Sequence, residues 1–105
     1  MALKKVLNPT YKFPVEIPVP GGKPEKINIT YKYKTESQLK QYLEENADKL
    51  VVDFLCEFIA DWDQEESFGE FSEQALKDLA DVYPGAVNAI HLCFYKSRTQ
   101  GRVGN

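Results

Sequence analysis

Two runs of alternating apolar and polar residues flank a turn-forming segment near the start of the chain. The runs cover residues 13–19 and 27–33, and Pro20-Gly21-Gly22-Lys23-Pro24 lies between them. A period of two predicts β-strands, and the turn between them predicts an antiparallel hairpin. Pro14 and Pro18 share one parity, which favours an edge strand. Because an isolated hairpin is marginal in water, other elements must cover its apolar face.

The remainder of the chain shows helical periodicity, and we expect about four helices to cover the hairpin. Thr35-Glu36-Ser37-Gln38 has the spacing of a capping box and predicts the start of the first helix. Ser72 is placed to cap the third helix. Pro84 suits the first turn of the fourth, which is expected to end near Ser97. Residues 61–69 are interpreted as an acidic loop.

The sequence therefore predicts an α+β fold, with an N-terminal antiparallel β-hairpin and about four helices in a small bundle, as one domain over residues 1–105. The apolar stripe of the first two helices is Leu39, Tyr42, Leu43, Leu50, Val51, Phe54, Leu55, Phe58, Ile59 and Trp62. The expected core contains Phe54, Phe58, Leu76, Leu79, Ile90 and Phe94. This stripe predicts that the second helix continues to Trp62. Residues 99–105 have no packing pattern and are expected to form a flexible tail.

Composition favours a soluble globular protein. Apolar residues make up 43% and charged residues 28% of the 105 positions, which is ordinary for such a protein. No apolar run approaches the ~20 residues that cross a bilayer, so a membrane protein is not expected. The net charge of −3 disfavours a partner held mainly through phosphate groups. We expect a cytoplasmic protein.

Metal binding and catalysis are not indicated by the polar residues. His91 and Cys93 are two residues apart, about 200° around a helix axis, so they cannot share a zinc ion with Cys56. The single histidine has no nucleophile or orienting acid at a suggestive spacing. The sequence thus predicts no metal, no cofactor and no enzymatic activity.

Tyr31-Lys32-Tyr33-Lys34 supports an alternative function. Interleaved aromatic and basic residues can stack on bases and contact phosphates, as in proteins that bind single-stranded nucleic acid. Strand alternation, however, places the tyrosines on one face and the lysines on the other. We therefore favour tyrosines packed on the helices and lysines that protect an exposed strand edge. A small nucleic-acid-binding or regulatory protein remains the alternative.

The last predicted helix is apolar on two sides. One face is formed by Val87, Ile90, Cys93 and Phe94. Leu92 and Tyr95 lie on the opposite side, and a helix of this kind is either fully buried or presents a contact surface. Because a terminal helix of a small domain is hard to bury completely, we predict a partner-binding surface at Leu92 and Tyr95, with Arg98 and Arg102 at its edge.

Trp62 is a further candidate for partner binding. It continues the apolar stripe and precedes the acidic loop. The favoured interpretation is a core residue with a hydrogen-bonded indole N–H group, because a tryptophan in phase with a helix usually packs inward. Direct contact with a partner is the alternative.

The order of landmarks along the chain resembles the phage tail assembly chaperone family, whose members help long-tailed phages build their tails. The landmarks are the strand-forming runs of residues 13–15 and 27–31, Trp62-Asp63, Phe71-Ser72-Glu73, Leu76, Leu79, Tyr83-Pro84 and Arg102-Val103-Gly104-Asn105. The resemblance covers most of the chain and rests on structural residues.

The resemblance implies a non-enzymatic chaperone that coats the long tape measure protein and helps to recruit tail tube subunits. Members of the family are often made in two forms, the longer by ribosomal frameshift, and this chain looks like the short form or the N-terminal part of both. The tail tube protein is implied as a partner of the longer form. Self-association is a further expectation. A further alternative is that the chain is a minor structural subunit of the virion.

Overall fold

The hairpin lies at the start of an α+β fold, in which residues 2–100 form three strands and five helices. The structure, a computed structural model, describes residues 2–100, so Met1 and residues 101–105 fall outside it. The elements in chain order are β1 (Thr10–Ile17), β2 (Glu25–Lys32), α1 (Glu36–Glu45), α2 (Val51–Phe58), β3 (Ile59–Trp62), α3 (Glu65–Phe68), α4 (Glu73–Val82) and α5 (Ala86–Thr99). The predicted fold class is confirmed, with the bounds of the two hairpin strands shifted by one to three residues toward the N-terminus.

The three strands form an antiparallel sheet in the order β1-β2-β3, which places β1 at an edge as predicted. Phe13 pairs with Ile29, so the apolar residues of the two hairpin strands share one face. In the turn, Gly22 N–H donates to Val19 O at 2.9 Å. Gly21 has φ +74° there, after Pro20, which are the features of a type II turn.

β3 was not predicted from the sequence. The apolar stripe predicted a helix as far as Trp62, but α2 ends at Phe58 and the next four residues pair with β2. Ile59 and Trp62 point inward from the strand just as they would from a helix, so burial alone does not distinguish the two structures. Pairing with β2 satisfies backbone groups that the helix would otherwise have satisfied internally.

Asp63 fastens the end of β3 to β2. Its carboxylate accepts hydrogen bonds from the backbone and side-chain N–H groups of Asn28, at 3.0 and 3.1 Å. Burial works to raise the pKa of Asp63, but these bonds and one from Gln64 hold it below its ordinary value. Asp63, which the sequence placed in the acidic loop, thus holds the end of β3 against β2.

Two of the predicted helix starts are confirmed by their caps. Thr35 Oγ1 accepts from Gln38 N–H at 3.2 Å, and Gln38 Oε1 accepts from Thr35 N–H at 2.9 Å, which completes the capping box. Ser72 Oγ accepts from Ala75 N–H at 3.0 Å. The start predicted for the last helix, at Pro84, was two residues too early. Ala86 N–H donates to Tyr83 O, so Pro84 lies in a turn, and α5 starts at Ala86.

Two further boundaries differ from the prediction. α5 continues to Thr99, so the predicted tail does not begin there, and the rest of that tail lies outside residues 2–100. The segment predicted as an acidic loop contains α3, a single helical turn.

The hydrophobic core lies between the apolar face of the sheet and the helices. All six predicted core residues are buried: Phe54, Phe58, Leu76, Leu79, Ile90 and Phe94. Leu43, Leu50 and Val51, which the stripe placed inward, are instead exposed at 41%, 72% and 40%. They flank the connection between α1 and α2, where Leu50 is the extended N-cap residue of α2. The helical pattern therefore predicted burial for apolar residues that are exposed near the corner between α1 and α2.

Candidate partner-binding surface

The inner side of α5 is packed against the sheet and α2. Ile90 and Phe94 have no exposed surface, and Tyr31 of β2 donates its hydroxyl hydrogen bond to Ile90 O at 2.8 Å. The Phe94 ring lies 5.5 Å from the Tyr31 ring and 5.2 Å from the Phe58 ring, measured between centroids. This side is therefore part of the core and unavailable to a partner.

The opposite side of α5 exposes two large side chains. Leu92 is 53% exposed and Tyr95 is 37% exposed. They are three residues apart on the helix and so lie on one face, as predicted. We call this pair the outer ridge. It gives α5 a second apolar side that the described residues leave open to solvent.

A groove runs along the Tyr95 side of the outer ridge, between α1 and α5. It has a volume of about 900 Å³. Its apolar lining comes from Leu39, Leu43 and Tyr95. Glu36 and Glu44 of α1 also line it, with Lys40 and Lys96, so the polar residues carry both signs. We call it the α1–α5 groove.

A second, smaller groove runs along the Leu92 side, between α5 and β1. Its volume is about 570 Å³. Phe13, Pro14, Leu92 and Cys93 contribute to its lining, with Lys26 at its border. Because the two grooves lie on either side of the outer ridge, α5 is raised between them. Such a ridge flanked by grooves is suited to contact a protein partner over an extended surface.

Tyr95 is partly held by its own chain. Its ring stacks on Phe54 at 6.2 Å with an interplanar angle of 23°, and it meets the His91 ring at 5.3 Å. Burial raises the pKa of the Tyr95 phenol. Leu92 is more exposed than Tyr95, so it is the more independent half of the outer ridge.

Arg98 is not a free cation at the edge of the ridge. Its side chain is only 9% exposed, and it donates to Lys34 O and to Glu36 Oε1, each at 2.7 Å. Its guanidinium also lies 5.6 Å from the centre of the Phe94 ring. Arg98 thus joins the end of α5 to the start of α1, and it also lines the α1–α5 groove beside Tyr95. Its role in partner binding stays a prediction. Arg102 lies outside the described residues.

Trp62 belongs to the core. It is 3% exposed, and its indole N–H donates to Gly69 O at 2.9 Å. Its ring meets Phe71 edge-on at 5.3 Å. The favoured interpretation of a hydrogen-bonded core residue agrees with this position, although on β3 rather than on a helix. Direct contact with a partner stays an untested prediction, and the buried side chain presents almost no surface for it.

The polar side chains considered for metal binding or catalysis lie in apolar surroundings. His91 meets the Phe54 ring at 5.0 Å, and burial lowers the pKa of its imidazole. Cys56 and Cys93 are free thiols whose pKa values are raised by burial. Within residues 2–100, no group of three or more His, Cys, Asp or Glu side chains is arranged to hold a metal ion.

The hairpin divides its aromatic and basic residues as the alternation predicted. Tyr31 is fully buried, and burial raises the pKa of its phenol far above the ordinary value. Tyr11 is half-buried and shares a hydrogen bond with Ser97 of α5 at 2.7 Å. A fully buried Tyr31 cannot stack on a base. Of the four residues that suggested nucleic-acid binding, Tyr31 therefore packs the sheet on α5.

Sequence reasoning missed Leu43 as a surface residue. The helical period placed it with Leu39 and Tyr42, and only the rotation of α1 against α5 decides which of the three remains exposed. The exposed Leu43 now lines the α1–α5 groove. No local signal distinguishes it from its buried neighbour Leu39.

The fold and this surface define a small α+β domain whose last helix exposes a second apolar side. The family model of the phage tail assembly chaperones matches residues 1–105, so this chain belongs to the phage tail assembly chaperone family. Neither the curated proteins nor the solved structures contain a match to it. Among residues 2–100, no helix has the length and apolar character needed to cross a membrane.

Proposed function

We propose that this protein is a non-enzymatic chaperone that binds the tape measure protein through the outer ridge of α5. Membership of the tail assembly chaperone family supports the general role. The single observation that supports the site is the second apolar side of α5, where Leu92 is 53% and Tyr95 37% exposed. We place this activity in the host cytoplasm, before the tail is complete.

The ridge and its grooves suit an extended, largely helical client. An amphipathic helix binds by inserting apolar side chains, spaced by three or four residues, into a hydrophobic groove. Leu92 and Tyr95 would contact those side chains, while Lys96, which lines both grooves, would pair with acidic residues of the client. A chaperone of this kind needs an apolar contact surface and no reactive group.

The test is a pull-down of the tape measure protein encoded in the same genome. Leu92→Ser is the cleaner substitution, because Tyr95 also stacks on Phe54. We expect Leu92→Ser to weaken binding at least tenfold, a loss of about 1.4 kcal/mol, while the fold is kept. Adding Tyr95→Gln should weaken it further, at some cost in stability.

Val82→Ser is the matched control. Val82 is 56% exposed on α4 and lines neither groove, so its replacement removes similar apolar surface elsewhere. It should bind like the parent protein. If Leu92→Ser folds and binds normally, the client contacts another surface; if it unfolds, the outer ridge belongs to the core.

The tail tube protein is proposed as a partner only of a longer, frameshifted form. The same pull-down with the tube protein should then be negative for this chain alone. A tube protein captured directly by residues 1–105 would contradict that division of roles.

A further inference from the structure

The free edge of β1 borders the smaller of the two grooves, the one between α5 and β1. β2 pairs with one side of β1, and no other strand within residues 2–100 pairs with its other side. The strand lines this groove with Pro14, Glu16 and Pro18, and α5 lines it with Leu92. Because an edge strand presents N–H and C=O groups that can pair with a further strand, this border is a potential site of strand addition.

The register of the hairpin decides which backbone groups face that edge. Tyr33 N–H donates to Pro9 O at 2.8 Å, so these two opposed residues form a hydrogen-bonded pair. Such pairs recur at every second residue of an antiparallel ladder. The odd-numbered residues of β1 therefore direct their N–H and C=O groups toward β2, and the even-numbered residues direct theirs toward the free edge.

Pro14 occupies an outward position in the middle of β1. It lies opposite Asn28 in a pair that exchanges no hydrogen bonds, so its missing N–H group costs the sheet nothing. On the free edge, however, the proline ring stands where an added strand needs a donor. Pro18 lies beyond the strand and is close to α5, since a Cβ atom at Gly85 would be 3.1 Å from Pro18 Cγ. Pro14 is thus the proline that borders the open part of the groove.

A second copy of the chain has a strand suited to this edge, namely its own β1. Antiparallel pairing of the two β1 strands about a two-fold axis at Pro14 places Lys12 of one copy opposite Glu16 of the other. Opposite charges then face each other on both sides of the axis, which favours the pairing. The two Pro14 residues meet at its centre, where their missing N–H groups remove two hydrogen bonds.

We propose that Pro14 prevents a second copy from adding its β1 to this edge, and so keeps the smaller groove open beside the outer ridge. A strand added to β1 would lie about 4.8 Å from it, within the space between β1 and α5. It would therefore cover the Leu92 side of the ridge. The statement that the open groove serves the client rests on the proposed function, whereas the closure of the edge by Pro14 does not.

The test is sedimentation equilibrium of the full chain with Pro14→Thr, over a range of concentrations. Threonine restores the N–H group and favours strands, so the fold should be kept. We expect an association constant about tenfold higher than that of the parent chain, or more. In hydrogen exchange, the N–H group of Glu16 should become protected as the concentration of the variant rises. An association constant equal to that of the parent would overturn the proposal.

Two further variants make the test specific to the edge. Pro14→Thr with Glu16→Pro moves the proline to the next outward position, so it should return the association constant to that of the parent. Pro24→Thr removes an exposed proline from the connection before β2 and should change nothing. If either of them associates as strongly as Pro14→Thr alone, the position of the proline on the edge is not what matters, and the proposal is wrong.

Pull-down of the tape measure protein separates this inference from the proposed function. Pro14→Thr should bind the client like the parent while it is monomeric, and more weakly once it associates, because the added strand covers the groove. Undiminished binding by the associated variant would overturn the part of the inference that concerns the groove. If Leu92→Ser binds the client normally, the proposed client site fails, while the association result for Pro14→Thr is unaffected.

Discussion

The two sides of α5 differ in what covers them, although both are apolar. The inner side packs Ile90 and Phe94 against Tyr31 and α2, and nothing of these two side chains is exposed. The outer side leaves Leu92 and Tyr95 open between two grooves. Residues of the same chemical class therefore stabilise the fold on one side and are available for binding on the other.

The largest expected effect is on the inner side. Phe94→Ala removes a ring that contacts Tyr31, Phe54 and Phe58, and it leaves a cavity in the core. We expect the free energy of unfolding, measured in urea, to fall by roughly 3–5 kcal/mol. A loss below about 1 kcal/mol would mean that the inner side of α5 is not packed more tightly than the outer side.

Arg98→Met tests the end of the same helix. The substitution keeps most of the apolar stem but removes the hydrogen bonds to Lys34 O and Glu36. Because Lys34 O loses its partner while Glu36, 89% exposed, is solvated without Arg98, we expect a loss of about 1–2 kcal/mol in urea unfolding. Unchanged stability with weaker client binding would return Arg98 to the binding surface.

Tyr31→Phe measures the tie between β2 and the inner side of α5. It removes the hydroxyl that donates to Ile90 O and keeps the ring contacts. The expected loss is about 1 kcal/mol in thermal or urea unfolding. Tyr33→Phe, on a partly exposed ring beyond β2, is the matched control and should have little effect. Equal effects of the two would contradict the special position of Tyr31.

Leu92→Ser should have the smallest effect on stability. Its side chain is 53% exposed, so we expect a change within about 0.5 kcal/mol in urea unfolding. Near-native stability is also what makes its binding result interpretable. A loss above about 2 kcal/mol would show that the outer ridge is packed like the inner side.

Local signals predicted much of this fold. The alternation on either side of the turn is enough to predict the hairpin, and the capping residues Thr35 and Ser72 mark the starts of α1 and α4. These predictions succeed because each depends on interactions within a few residues of the chain. The strand β3 was missed for the complementary reason, since its pairing with Ile29 and Thr30 joins segments about 30 residues apart.

The candidate site was predicted only in part. The outer positions of Leu92 and Tyr95 follow from helical periodicity, and both prove exposed. The partners of Arg98 do not follow from periodicity, because Lys34 and Glu36 contact it only after α1 and α5 are packed together. The exposure of Leu43 and the groove beside it depend on the same packing.

The sequence by itself determined the fold class, the hairpin and the two-sided character of the last helix, because backbone periodicity and capping act over short distances. Only the tertiary structure decided that Ile59–Trp62 is a strand and that Trp62 and Arg98 are held by their own chain. It also decided which apolar residues of α1 and α5 remain exposed. Those outcomes depend on which segments of the chain pack against each other. The burial of a side chain is set by that packing and not by residue type alone.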